Sequence, residues 1–149
     1  MTDTLTGIER SELMSRVRSS GNRATELRLA TLMRKHRIHG WRRGALLPGK
    51  PDFVFRAEKV ALFVDGCFWH GCPRHGRTPK TRVAFWTKKL ARNAQRDRAV
   101  TRTLSASGWT VLRIWECALD GSHAPRTLAR ITRALSTKAQ AAAKRTSSK

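Results

Sequence analysis

Pro51-Asp52-Phe53-Val54-Phe55, a connection at Arg56-Ala57-Glu58, and then Lys59-Val60-Ala61-Leu62-Phe63-Val64-Asp65 decide the fold. Two runs rich in β-branched and aromatic residues with a short link predict two strands joined by a tight turn. The second run is nearly all apolar, which places it at the centre of a sheet covered on both faces. Antiparallel pairing of the two would bring Asp52, at the start of one, and Asp65, at the end of the other, into one neighbourhood. Two oxygen-donor carboxylates there suit Mg²⁺. The plain reading is that Pro-Asp opens a turn and Asp65 caps a loop, and spacing alone does not choose between the two.

Working outward, Trp41-Arg42-Arg43 predicts an edge strand and Leu47-Pro48-Gly49-Lys50-Pro51 a turn. Upstream, Glu26 to Met33 has apolar residues at three- and four-residue spacing, a helix that packs on the core and stops before Gly40. A carboxylate on its packed side is unusual, which makes Glu26 a candidate for the site; otherwise it is an exposed helix-start glutamate favoured by the dipole. Residues 1–8 read as frayed and residues 11–20 as a short basic helix, an arm (1–21) mobile without a partner. Downstream, Arg82 to Ser107 predicts a long helix whose apolar stripe is broken by Asn93 and Asp97, and polar breaks in a buried stripe suggest a site. Trp109 to Trp115 is a further strand and Pro125 to Leu135 a closing helix. Residues 1–136 therefore form one domain, and 137–149, mainly Lys, Ala, Ser and Gln, read as a disordered basic tail. The order of elements predicts an α/β fold with a mixed central sheet flanked by helices.

Immediately after Asp65 comes Gly66-Cys67-Phe68-Trp69-His70-Gly71-Cys72-Pro73-Arg74-His75. Cys67, Cys72 and His75, with the last cysteine, Cys117, give Cys-x4-Cys-x2-His-x41-Cys, a donor set for a tetrahedral structural Zn²⁺. The bland reading is three small buried hydrophobes and a surface histidine. His70 is left over, next to the metal knot and downstream of an acid, in a position suited to proton transfer. Phe68 and Trp69 lie on a polar loop and Trp86 near the start of the long helix. Exposed aromatics of this kind can wedge between bases, or they can pack over the metal knot.

Thirty-one Lys and Arg against ten Asp and Glu leave a net charge of +21, which points to a polyanion as partner. The basic run from Lys88 to Arg102 is either a solvated helix face or a track for phosphates. Three cysteines, no signal sequence and no apolar stretch of spanning length predict a reducing, cytoplasmic setting without a membrane.

With these residues in hand, Pro51-Asp52-Phe53, Asp65-Gly66-Cys67-Phe68-Trp69-His70, Phe85-Trp86, Asn93-x-x-Arg96-Asp97 and Gly108-Trp109-x-Val111-Leu112-x-x-Trp115-Glu116-Cys117 resemble the very short patch repair (Vsr) DNA endonucleases. The resemblance runs over roughly residues 8–136. It implies a restriction-endonuclease-like fold, a structural zinc, and nicking 5′ of the thymine in a T·G mismatch left by deamination of 5-methylcytosine. It further implies that Asp52 and the backbone carbonyl of Val64 bind Mg²⁺, and that His70 activates the attacking water. Glu26 would assist from its helix, with Asp97 in an outer position. Met14, Phe68, Trp69, Trp86, Lys89, Asn93 and Arg96 would contact DNA, Met14 from an arm entering the other groove. The chain would act as a nucleoid-associated monomer, with other mismatch-repair proteins as candidate partners.

Two departures stand out. Asp65 occupies a position where some members carry histidine, leaving direct metal ligation, a water-mediated contact and simple hydrogen bonding open for it. Cys72 precedes His75, whereas some members have a histidine before the second cysteine. Two other functional classes use many of the same residues. A non-catalytic, zinc-stabilised nucleic-acid-binding module would not need Asp52, Glu26 and His70 together, and a nuclease of the same fold could act on a different DNA target.

Overall fold

The hairpin forms as its sequence requires. In the computed structural model, which describes residues 23–67, 72–75 and 80–147, strand β2 (Phe53–Phe55) pairs antiparallel with β3 (Val60–Asp65), placing Phe53 opposite Leu62 and Phe55 opposite Val60. Strand β1 (Trp41–Arg42) adds to the outer edge of β2, and β4 (Thr110–Trp115) lies parallel to β3 on its other side. The sheet order is β1-β2-β3-β4, a mixed four-stranded sheet. Helix α1 (Arg23–Lys35) precedes it, α2 (Val83–Ala106) is part of the crossover that a parallel β3–β4 pair demands, and a 3₁₀ turn (Glu116–Leu119) leads into α3 (Ala124–Thr146). The expected α/β architecture with a mixed sheet flanked by helices is what the chain adopts.

Strand alternation divides the core into two layers. Phe53, Phe55, Val60, Leu62 and Ile114 pack with Leu29 and Met33 of α1 and with Leu128 and Ile131 of α3. Val54, Ala61 and Phe63 pack with Leu104 of α2, helped by Val100 and Val111. Val60, Ala61 and Leu62 are wholly buried, which is why the β3 sequence shows an apolar run instead of an alternating one. Each large side chain buried this way contributes about 1.5–3 kcal/mol. The same period of two carries Asp65, two beyond Phe63, and Arg113, two beyond Val111, onto the α2 side of the sheet. Polar chemistry thus begins where the apolar layer under α2 ends.

The turn before β2 is fitted to α2 at one atom's clearance. Gly49 has φ +74°, and a Cβ there would lie 2.4 Å from Cγ1 of Val100. Only glycine both adopts this conformation freely and allows the approach. Lys50 N–H then closes the turn on the Leu47 carbonyl at 2.9 Å, and Asp52 N–H donates to Leu62 O at 2.9 Å, fixing Asp52 against β3.

At the C-terminus the structure departs from the reading of a tail beyond residue 136, since α3 continues to Thr146. The apolar stripe does end at Leu135, and residues 139–147 are exposed, so apolar periodicity carries no signal there. Ala139, Ala141, Ala142 and Ala143 sustain the helix by intrinsic propensity instead. Lys138 Nζ ties it to the Gly108 carbonyl at 3.1 Å. The arm at 1–21 lies outside the described residues.

Candidate active site and metal centre

Between the sheet and α2 lies a cleft of about 290 Å³. Asp52, Asp65 and Asp97 line it together with Lys50, Val64, Arg96 and Arg113. The strand pairing that sets the core register therefore also gathers carboxylates from β3, from α2 and from the residue leading into β2. Asp52 Oδ2 accepts a hydrogen bond from the Val64 N–H at 2.7 Å. Burial pushes the Asp52 carboxyl up to about 7 despite that hydrogen bond, with Glu26, through a hydrogen bond and its charge, and the charge of Asp65 adding to the rise. A carboxylate held this way gains from any cation that arrives beside it.

The neighbouring acids each have an arginine. Glu26, buried on α1, pairs with Arg43, whose guanidinium also lies 5.7 Å from the centre of the Phe53 ring. Asp65, only 4% exposed, receives Arg113 Nη1 at 3.1 and 3.2 Å on its two oxygens. The same guanidinium reaches Asp97 Oδ1 at 3.6 Å and the Asp97 carbonyl at 3.2 Å. The functional residues Arg43, Arg113 and Lys50 belong to no motif in the sequence. Arg113 had a detectable signal, because it is the one charged residue in the strand Thr110–Trp115. Arg43 and Lys50 sit in polar surroundings where nothing distinguishes them.

At the end of β3, Cys67, Cys72, His75 and Cys117 place their ligand atoms within 4.8 Å of one another, a cluster that could hold a metal ion. Parallel pairing explains the meeting of distant residues: β3 and β4 end side by side, so Cys67 just past Asp65 comes beside Cys117 just past Trp115. Cys72 Sγ lies 3.7 Å from Cys117 Sγ and 4.0 Å from His75 Nδ1, and its N–H donates to the Cys67 carbonyl at 3.0 Å. Burial raises the Cys67 thiol to about 12. For Cys72 burial acts in the same direction, but hydrogen bonds from the Arg74 and His75 backbone and the His75 ring outweigh it and lower the thiol to about 6. A thiolate is the metal-binding form, so the loop already favours ligation at Cys72.

Of the expected DNA contacts, Arg96 lines the cleft and Asn93 is buried on α2. Trp86, read as an exposed aromatic, is instead buried, with Phe85 set edge-on at 5.3 Å and Lys89 Nζ 5.5 Å from its ring centre. Phe85 is the aromatic that α2 exposes, at 45%. In the first turn of a helix that crosses a sheet, consecutive residues point about 100° apart, and position 86 takes the inward direction. Met14, Phe68, Trp69 and His70 lie outside the described residues.

The chain also resembles known proteins. The family model for DNA mismatch endonuclease Vsr matches residues 2–75, which include Asp52, Val64, Asp65, Cys67, Cys72 and His75. The type II nicking enzyme V.XorIIP of Xanthomonas oryzae pv. oryzae is 41% identical over 125 residues, covering 80% of this chain and 88% of that protein. The chain belongs to the Vsr family of DNA mismatch endonucleases. DNA mismatch endonuclease Vsr of Escherichia coli is 41% identical over 102 residues, 66% of this chain and 64% of its own length. The type II nicking enzyme V.NaeI of Lentzea aerocolonigenes is 60% identical over 67 residues, which span 45% of this chain and 40% of that relative. As a Vsr-family member the chain is a DNA endonuclease, with DNA as its partner. None of its described helices is long and apolar enough to cross a membrane.

Proposed function

We propose that this Vsr-family chain nicks one strand of duplex DNA 5′ of the thymine in a T·G mismatch, the lesion left by deamination of 5-methylcytosine. The observation that carries the reading is the cleft in which Asp52, held by the Val64 N–H, faces Asp65 and Asp97 beside Arg96. Its donor set is all oxygen, which fits Mg²⁺. Asp52 and the Val64 carbonyl would hold the ion, which when bound neutralises charge on the scissile phosphate and on the leaving 3′ oxygen. Asp52 must be deprotonated for this, and the Val64 hydrogen bond supports that form. His70 takes the proton from the attacking water, Glu26 assists it, and cleavage leaves a 5′ phosphate and a 3′ hydroxyl.

Specificity comes from deformability. A T·G wobble is displaced and poorly stacked, so a wedge of Phe68 and Trp69 enters it at lower cost than a matched pair. Met14 approaches from the other groove, while Lys89 and Arg96 hold the strand along α2. At the second centre Cys67, Cys72, His75 and Cys117 would hold Zn²⁺, which three thiolates and an imidazole suit; the Cys72 and Cys117 sulfurs lie 3.7 Å apart. With four protein ligands, Cys67, Cys72, His75 and Cys117, that zinc has no position open for water and is structural. The enzyme works as a cytoplasmic monomer on the nucleoid.

The test is strand cleavage on matched duplex, T·G duplex and T·G duplex in varied sequence contexts, each with Mg²⁺ and with EDTA. Nicking confined to T·G duplex and dependent on Mg²⁺ is the expected result. Cleavage of matched duplex at equal rate would defeat the mismatch assignment, and undiminished cleavage in EDTA would defeat the metal assignment.

A further inference from the structure

The cleft contains more carboxylates than one metal needs, and the arginines sort them. Arg113 uses every face of its guanidinium: Nη1 on both oxygens of Asp65 at 3.1 and 3.2 Å, Nη2 on the Asp97 carbonyl at 3.2 Å, and Nε on Thr101 Oγ1 at 3.3 Å. Its Cζ lies 4.4 Å from the centre of the Phe63 ring. The Arg113 side chain is 23% exposed and that of Asp65 only 6%, so this is a largely buried, multiply bonded ion pair. Turning Asp65 toward a metal would strain its contacts to a guanidinium that has no other carboxylate oxygen as close, and an uncompensated buried charge is among the costliest defects a fold can carry. Asp52, by contrast, makes no ion pair with arginine or lysine among the described residues; its partners are the Val64 N–H and the Glu26 carboxyl.

We propose that Arg113 commits Asp65, and with it Asp97, to the protein framework, making Asp65 a positioning residue and not a second ligand beside Asp52. The inference rests on the metal-dependent reading of the cleft. It decides among the three roles open to Asp65, and it assigns a function to Arg113: clamping β3, β4 and α2 together at the point where the Val64 carbonyl must be held. The second carboxylate of the cleft is thereby converted into a structural strut by a residue on the neighbouring strand. Arg130 supports the strut from outside, both its terminal nitrogens donating to the Arg113 carbonyl at 3.4 Å.

The experiment is calorimetric titration of Mn²⁺ into the zinc-loaded full chain, for wild type, Asp52→Asn, Asp65→Asn and Arg113→Gln, with thermal denaturation of the two single variants at positions 65 and 113 and of their double variant. Asp65→Asn should bind Mn²⁺ within about threefold of wild type, while Asp52→Asn weakens it tenfold or more. Arg113→Gln, which frees a second carboxylate, should bind Mn²⁺ at least as tightly as wild type yet nick more slowly. The Asp65→Asn/Arg113→Gln pair should be less destabilised than the sum of its singles, as expected for residues in direct contact. An Asp65→Asn variant as weak for Mn²⁺ as Asp52→Asn, or additive stabilities, would overturn the proposal while leaving the metal-dependent reading standing. Wild type that binds no Mn²⁺ would overturn both, so the wild-type arm separates the two failures.

Discussion

Asp52 is the residue at which folding and function pull in opposite directions. Its carboxyl is pushed up to about 7 from an ordinary 3.8, first by burial, in the metal-free protein. A carboxyl raised in the folded state stabilises the fold fully below its unfolded pKa, and that contribution is lost as pH rises through the folded one. Between pH 4 and pH 8 the metal-free chain therefore becomes progressively less stable through this group. Asp52→Asn should abolish that slope, so that in Mg²⁺-free buffer the zinc-loaded variant melts above wild type at pH 8 and level with it near pH 4. A pH-independent difference in melting temperature would contradict this account. The same variant should nick T·G duplex at least ~100-fold more slowly while still binding it, because phosphate contacts remain when transition-state stabilisation is lost.

Single elements carry consequences that no one residue shows. The turn at Leu47–Lys50 sits against α2 only because position 49 has no Cβ, and it launches the chain into Asp52. Gly49→Ala should cost about 1–3 kcal/mol in denaturant unfolding, from a positive φ plus overpacking against Val100, and should lower nicking beyond what the lost stability explains. A variant as stable as wild type would show that the turn moves freely away from α2. At the other end of β3, Cys117→Ser should remove stoichiometric zinc, read by metal analysis. It should also loosen the 3₁₀ turn Glu116–Leu119 together with the segment after β3, because ligand loss forfeits linked folding energy. The late turns of α3 have the opposite character. Removing residues 137–149 should reduce helical circular dichroism yet change the melting temperature little, since residues 139–147 are exposed.

Across the whole molecule, +21 on 149 residues dominates the behaviour toward DNA. Counterion release makes log affinity fall steeply and linearly with log salt. The 137–149 truncation removes Lys138, Lys144, Arg145 and Lys149. If those residues meet phosphates, the slope should fall with the truncation; an unchanged slope would place α3's end away from the duplex. Mismatch preference, measured as the ratio of T·G to matched affinity at one salt concentration, should stay as it was in either case, because phosphate contacts carry no base information.

The sequence by itself determined the hairpin, the central position of β3 and the long helix α2, because each is written locally, as an apolar run or an apolar stripe with two polar breaks, and the donor types of the Cys3His cluster and the family, which are legible as motifs. It determined Asp52 and Asp65 as neighbours only conditionally, since that depends on which strands pair. Tertiary structure alone decided two things, and a third, local in origin, shows only in the fold. Arg113 becomes the partner of Asp65 and Asp97 because parallel β4 sets it on the α2 side, a relation across 48 positions of sequence for Asp65. Trp86 turns inward because the packing of α2 on the sheet fixes its rotation. The last turns of α3 form with no apolar stripe to announce them, on alanine propensity and a single lysine tether. Periodicity reports burial against a layer, and it is silent about which charged groups the layers bring face to face, because that depends on pairing between segments far apart in the chain.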